Sequence, residues 1–177
     1  MGRTLALTGA AIAMPRALAT GAEPPLRTAL DRVPLGQTGL RPTRLGMGTG
    51  VHNGERLVAL GKPGFTRLVH DAYDRGIRYF DCAGQYKTFP WMADALDGLP
   101  REELFILSKI WGTPADPRKE IENHLRNFKT DYIDCMLVHC AVRDDWTDER
   151  RAVIDALLQA KADGKLRALG VSCHSLP

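Results

Sequence analysis

The chain has 177 residues, of which 44% are hydrophobic and 25% are charged, and its formal net charge is +3. This balance is typical of a globular protein with one sizeable core. The basic residues are scattered, so no stripe of positive charge predicts a nucleic-acid partner.

The first 25 residues differ in composition from the remainder. Arg3 precedes an apolar run over residues 5–14, and residues 17–19 offer a small-residue cleavage pattern typical of an export signal. The run is too short to cross a bilayer, so no membrane span is expected. We interpret residues 1–25 as a signal-like leader and linker, with a leader that is not a signal as the alternative. The chain is expected to be periplasmic if residues 1–19 act as a signal, and cytoplasmic otherwise.

From residue 26 onward, strand-like and helix-like segments alternate. The expected elements are a hairpin over 31–41, a strand over 43–48, a helix over 65–73 that stops at Gly76, a strand over 77–80, a short helix over 92–96 after Pro90, a strand over 104–108, a helix that begins at Asp116 and Pro117, a strand over 135–138, a helix over 153–158 that ends near Gly164, and a strand over 166–171. This alternation predicts an α/β protein with a parallel sheet covered by helices.

Two parallel-sheet architectures fit this alternation. A doubly wound dinucleotide-binding sheet carries a glycine-rich turn of defined spacing after its first strand, and residues 46–50 lack that spacing. A TIM (β/α)8 barrel instead collects its chemistry from the ends of several strands. Asp81, Lys109 and His139 each follow an apolar strand, and Tyr86 comes shortly after Asp81. This order favours the TIM barrel, with one active site at the carboxyl ends of the strands.

The segments around these residues resemble the aldo-keto reductase family. They are YFDCAGQY over 79–86, ILSKIW over 106–111, MLVH over 136–139, RALGVS over 167–172 and RVPLG over 32–36. The resemblance covers residues 31–177. It implies a barrel that reduces aldehydes and ketones with a nicotinamide cofactor, NADP(H) in preference to NAD(H), and hence a small-molecule carbonyl substrate.

The four polar residues also suit carbonyl reduction on chemical grounds. Hydride addition to a carbonyl carbon leaves negative charge on the oxygen, so a proton donor is needed there. Tyr86 is the candidate general acid, because the Lys109 ammonium can stabilise its phenolate. Asp81 can orient Lys109, and His139 can donate a hydrogen bond to the carbonyl oxygen.

The resemblance assigns further contacts around the same site. Trp111 lies just beyond its predicted strand and is expected to contact substrate, with a packing role as the open alternative. Gly48, Thr49 and Ser172, together with Asp81, are expected to contact the cofactor.

Four cysteines raise the question of a metal site, but the strand pattern argues against one. If Asp81 and His139 face the barrel axis, the next residues, Cys82 and Cys140, face the helices. The thiols would then point away from the site. Disulfides stay open if the chain is exported.

Three positions depart from the family's pattern. Lys87 and Phe89 stand where the family usually carries glycine and glutamate after the tyrosine. Cys173 stands where an asparagine amide helps to hold the nicotinamide, and a thiol is a poor substitute donor. We therefore expect the conformation of the loop that carries Tyr86, and the affinity for the cofactor, to differ from those of typical family members.

The length sets the expected extent of the barrel. Residues 26–177 are about 150 residues, whereas a TIM barrel takes about 250. The sequence therefore predicts a partial barrel of about five strands, truncated at its C-terminal side, whose open edges favour self-association. Two other functions stay open. One is a non-catalytic barrel fragment or scaffold, and the other is a barrel enzyme that forms a Schiff base on Lys109.

Overall fold

The computed structural model describes residues 27–175, and the signal-like leader predicted for residues 1–25 lies outside them. The strands and helices, in chain order, are β1 Gly46–Gly48, α1 Glu55–Val58, α2 Gly61–Asp74, β2 Tyr79–Asp81, α3 Met92–Ala95, β3 Phe105–Trp111, α4 Pro117–Phe128, β4 Ile133–Ala141, α5 Trp146–Glu149, α6 Arg151–Ala162 and β5 Leu166–Cys173. Short 3-10 turns lie at 51–54, 89–91 and 101–103.

The five strands form one parallel sheet in the order β1-β2-β3-β4-β5. Each strand lies beside the next one along the chain, and helical segments connect them across one face of the sheet. The register places Asp81 beside Gly48 of β1, and Trp111 of β3 beside His139 of β4. The predicted parallel sheet of about five strands is therefore confirmed.

Several predicted strand ends are wrong by a few residues. β1 begins at Gly46 rather than at residue 43, because Thr43 instead bridges Arg32 in the opening hairpin. β3 runs on to Trp111, which was expected beyond the strand, because Trp111 still pairs with His139. β5 runs on to Cys173, so Ser172 lies inside the strand instead of ending it.

Helix α4 shows how local sequence sets an element. The Asp116 carboxylate caps its first turn by accepting a hydrogen bond from the Lys119 backbone N–H at 3.0 Å, and Pro117 occupies the first helical position. The expected apolar stripe is buried against the sheet and consists of Ile121, Leu125 and Phe128. The helix ends where Lys129 takes a left-handed conformation, with φ of 51°.

The sheet has a core on each face. The outer face packs against α2, α3, α4 and α6, and its largest fully buried side chains include Phe65, Phe80, Met92, Ile106, Ile121 and Met136. The inner face carries a smaller cluster of Leu40, Phe105, Leu107, Cys135 and Ala168. Leu40 comes from the 31–41 hairpin, which therefore closes the inner face at the amino ends of the strands.

An apolar groove of about 490 Å3 lies between α5–α6 and the outer face of β5. Leu158 of α6 and Val171 of β5 line it and stay 55% and 38% exposed. Exposed apolar surface of this kind is a common feature of association sites. Self-association stays a prediction. Within residues 27–175, no helix combines the length and the apolar character that crossing a membrane requires.

Candidate active site

Lys109 is the centre of a polar cluster at the carboxyl ends of β2 and β3. Its ammonium is buried and donates to the Asp81 carboxylate at 2.5 Å, to the Cys82 backbone carbonyl at 2.8 Å, and to the Tyr86 hydroxyl at 3.4 Å. Three acceptors therefore surround the three ammonium protons. Asp81, Tyr86 and Lys109, which are 28 residues or fewer apart in sequence, form one connected group.

The end of β2 is held in place by Thr49. The Thr49 backbone N–H and hydroxyl both donate to the Asp81 backbone carbonyl, at 3.0 and 2.9 Å. Its own carbonyl accepts from the Thr88 hydroxyl at 3.0 Å, and its side chain is fully buried. Thr49 thus lies behind Asp81 and supports the strand end, while its contact with a cofactor stays a prediction.

The Tyr86 ring fills the space beside Gly50. A Cβ atom on Gly50 would stand 2.3 Å from Tyr86 Cζ and 2.8 Å from its hydroxyl oxygen. Non-bonded atoms do not approach this closely, so glycine leaves room for the ring in this position and any larger residue would displace it. Sequence reasoning missed this role of Gly50, because the close approach depends on a loop 36 residues away and leaves no local pattern.

His139 lies on β4 beside Tyr86 and is 5% exposed. Its ring meets Tyr86 edge to face at 6.0 Å and Trp111 edge to face at 5.4 Å between centroids. Burial lowers the pKa of His139 to about 4, helped by the positive charge of Lys109 and by His174. The imidazole is therefore neutral near pH 7, and a neutral imidazole carries one N–H donor.

Trp111 forms one wall of the site. It ends β3, its side chain is 55% exposed, and its ring packs on the edge of His139. Its contact with substrate stays a prediction.

The β4–β5 pairing is irregular next to His139. Cys140 has a φ of 61°, and the register shifts between Val138 and Ala141. The Cys140 backbone N–H donates to the Ser172 hydroxyl oxygen at 2.9 Å. This bulge turns the strand ends and brings the Ser172 hydroxyl of β5 to the strand end that carries His139.

The two cysteines next to the site differ. Cys82 is fully buried in the helix-side core, as the alternation predicted, and burial raises the pKa of its thiol to about 11. Cys140 was expected to face the helices because side chains alternate along a strand. It lies in the bulge, where this alternation is interrupted, and it is half-buried. Within residues 27–175, no three His, Cys, Asp or Glu side chains are grouped to hold a metal ion.

Two polar side chains that sequence reasoning did not assign lie beside the cluster. The Gln85 amide nitrogen is 2.5 Å from His139 Nδ1. His124 of α4 is buried, with its Nδ1 2.9 Å from the Ser108 hydroxyl, and burial lowers its pKa to about 4. His124 falls on the apolar stripe, three residues after Ile121, so a buried position could have been predicted.

Open space adjoins these side chains on two sides. Gly48 is exposed at the end of β1, and a Cβ there would meet no described atom within 4 Å. A cavity of about 310 Å3 opens between the loop after β2 and the loop after β3; it is lined in part by Gly84, Gln85, Lys109, Trp111, Glu120 and His124.

Parallel strands in sequential order, with polar side chains at their carboxyl ends, are the arrangement found in β/α-barrel enzymes. The family model of the Aldo/keto reductase family matches residues 44–176. The chain belongs to the aldo/keto reductase family, a family of NAD(P)-dependent oxidoreductases.

Individual relatives agree with this assignment. The chain is 33% identical over 144 residues to glyoxal reductase of Bacillus subtilis, covering 74% of this chain and 51% of the relative. It is 37% identical over 112 residues to NADPH-dependent codeinone reductase 1-5 of Papaver somniferum, covering 58% of this chain and 33% of the relative. The chain thus spans about half the length of the first relative and a third of the second.

Solved structures confirm the predicted TIM-barrel class. A putative aldo-keto reductase from Pseudomonas aeruginosa superposes with a TM-score of 0.67 at 30% identity, over 80% of this chain and 59% of that structure. The five strands described above therefore cover part of such a barrel.

Proposed function

We propose that this chain carries the catalytic part of an enzyme that reduces an aldehyde or ketone to an alcohol with NADPH. The observation that carries the proposal is the single ammonium, on Lys109, that contacts both the Asp81 carboxylate and the Tyr86 hydroxyl. A phenol beside an ammonium is suited to give up its proton, because the positive charge stabilises the phenolate that remains.

Each residue has a distinct part in the proposed reaction. Tyr86 donates its hydroxyl proton to the carbonyl oxygen as negative charge develops there. Lys109 stabilises the phenolate that forms when Tyr86 gives up its proton, and Asp81 holds Lys109 in place. His139 donates an N–H to the same oxygen and orients the carbonyl. Trp111, which packs on His139 and lines the cavity, contacts the substrate.

A nicotinamide cofactor supplies the hydride when it is bound. The residues present fit such a group, because open space lies in front of Gly48 and beside the 29% exposed Asp81 side chain. Ser172 accepts a hydrogen bond from the Cys140 N–H, which leaves its own O–H to donate. We propose Gly48, Asp81 and Ser172 as direct cofactor contacts, with the buried Thr49 supporting them from behind. NADP(H) is preferred over NAD(H) by analogy with the NADPH-dependent relative.

The proposed substrate is a small aldehyde or ketone. Glyoxal reductase, the relative that shares the longer match, supports a dicarbonyl as the first substrate to test. The site also disfavours the Schiff-base alternative, because each proton of the Lys109 ammonium has an acceptor and no lone pair is free to attack a carbonyl.

The proposal is tested by following NADPH oxidation with glyoxal for the full chain and for Tyr86→Phe. The variant keeps the ring beside Gly50 but lacks the proton, so we expect binding of NADPH, measured by quenching of tryptophan fluorescence, to persist while turnover falls by about 10²-fold or more. Full turnover in Tyr86→Phe would refute Tyr86 as the acid. A folded chain that binds neither NADPH nor NADH would favour the non-catalytic alternative.

A further inference from the structure

A side-chain amide touches one ring nitrogen of His139. Gln85 immediately precedes Tyr86, and its Nε2 lies 2.5 Å from His139 Nδ1. The loop that positions the proposed acid therefore also contacts the second donor of the site. This contact joins the end of β2 to β4 without passing through Lys109.

The contact matters because a neutral imidazole has one N–H and one lone pair. The group that bonds to one ring nitrogen decides which nitrogen carries the proton. If Nδ1 accepts a hydrogen bond, Nε2 carries the N–H and can donate to a carbonyl oxygen. If Nδ1 carries the proton, Nε2 presents a lone pair and repels that oxygen.

The surroundings of Gln85 favour the amide N–H as the donor. Its Oε1 is buried and has no hydrogen-bond partner among the described residues. Turning the amide around would place the NH2 group at that unpartnered position, with two donors unsatisfied instead of one acceptor. Orphaned buried N–H groups are rarer in proteins than under-satisfied carbonyl oxygens.

Burial, together with the neighbouring charges, keeps His139 neutral, so the tautomer is the remaining variable. Lys109 approaches from β3, His174 lies beyond β5 with its ring centroid 6.1 Å away, and Tyr86 packs from the loop after β2. Burial together with the Lys109 charge lowers the pKa of His139 to about 4. A proton on both nitrogens is therefore disfavoured near pH 7, and Gln85 selects between the two neutral forms.

We propose that Gln85 is a positioning residue, whose amide N–H donates to His139 Nδ1 and holds the imidazole in the Nε2–H tautomer that can donate to a substrate carbonyl. The assignment rests on the proposed function for its catalytic meaning. The tautomer itself is a property of the chain and does not depend on turnover.

The tautomer can be measured in the full chain labelled with 15N. Long-range nitrogen–proton spectra distinguish a protonated from an unprotonated ring nitrogen, and His139→Asn identifies the His139 signals among those of the five histidines. We expect unprotonated Nδ1 and protonated Nε2 near pH 7. A protonated Nδ1 in the unmodified chain would overturn the assignment.

Gln85→Glu provides the decisive variant. A carboxylate can only accept, so Glu at this position should hold a proton on Nδ1. Because burial and the Lys109 charge disfavour a second proton on the ring, Nε2 should lose its own proton and the tautomer should reverse. Gln37→Glu makes the same chemical change at an exposed position of the opening hairpin and should leave the His139 signals unchanged. An unchanged tautomer in Gln85→Glu, with the chain folded, would contradict the proposal.

Kinetics separate this assignment from the function on which it rests. If both hold, Gln85→Glu should lower kcat and kcat/KM for glyoxal together, on the order of 10²-fold as for the loss of one oxyanion donor. NADPH binding and the Gln37→Glu control should be unaffected. If the tautomer reverses while turnover is unchanged, the positioning role of Gln85 and the proposed part of His139 are both wrong. If the unmodified chain turns over no carbonyl, the proposed reaction fails and the nitrogen spectra alone decide the Gln85 contact.

Discussion

Replacing Gly50 with alanine should displace the Tyr86 ring and destabilise the chain. The backbone itself accepts alanine, since Gly50 has φ of −104° and ψ of 10°. The obstacle is the new Cβ, which would stand 2.3 Å from Tyr86 Cζ, whereas ordinary contacts begin near 3.4 Å. The ring, whose side-chain atoms are the nearest neighbours of the new Cβ, must therefore retreat by about 1 Å.

This retreat has two measurable costs. Overpacking of this size destabilises proteins by about 1–3 kcal/mol. The Tyr86 hydroxyl lies 3.4 Å from Lys109 Nζ, at the long end of hydrogen-bond distances, so a shift of the ring by about 1 Å changes this contact. A displacement of about 1 Å in a catalytic group can lower activity by about 10²-fold.

A double-mutant cycle in urea isolates the clash from other effects of alanine. Gly50→Ala should lower the free energy of unfolding by about 1–3 kcal/mol in the unmodified chain. In a Tyr86→Ala background the ring is gone, so the same change should be neutral or stabilising by up to about 1 kcal/mol, as Gly→Ala changes are at compatible sites. Equal destabilisation in both backgrounds would refute the steric argument.

Three other changes test the surrounding structure, each by urea denaturation. Lys109→Met leaves the Asp81 carboxylate without its ammonium partner and should lower the free energy of unfolding by about 2–3 kcal/mol. The loss should be smaller than for a fully buried pair, because the Asp81 side chain is 29% exposed. Full stability in this variant would contradict the pairing. Burial lowers the pKa of His124 from 6.5 to about 4. The unfolded chain therefore binds a proton more readily than the folded chain. The free energy of unfolding should be highest above pH 6.5 and fall by about 3 kcal/mol in all as the pH drops toward 4. His124→Gln should flatten that pH dependence, and an identical slope would show that His124 does not titrate as described. Asp116→Ala removes the cap of α4 and should cost about 1 kcal/mol, whereas an unchanged midpoint would mean that the cap is not used.

The parts of the fold set by local pattern were predictable from sequence. The cap and apolar stripe of α4 are properties of consecutive residues, and the structure confirms them. The apolar runs before Asp81, Lys109 and His139 became neighbouring parallel strands, which brings polar residues at their carboxyl ends together. Their order along the chain was therefore enough to predict the cluster.

The remaining features depend on contacts between distant segments. Thr43 is not part of β1 because it pairs with Arg32 of the opening hairpin. The bulge at Cys140 interrupts a strand whose sequence has a regular apolar pattern. In the sequence, Gln85 has no feature that distinguishes it from other loop residues. Its contact with His139 depends on the position of β4 in the fold. Nothing in the local sequence encodes these distances, so pattern reasoning could not have found them.

The central claim is that hydride reaches a carbonyl carbon at the Asp81–Tyr86–Lys109–His139 cluster. Its most direct test is incubation of the full chain with glyoxal and NADPH in which both hydrogens on the reactive nicotinamide carbon are replaced by deuterium, followed by mass spectrometry of the alcohol. The account predicts deuterium on the carbon of the product, and loss of that product in Tyr86→Phe at equal cofactor occupancy. A product without deuterium, or equal deuterium transfer by Tyr86→Phe, would contradict it.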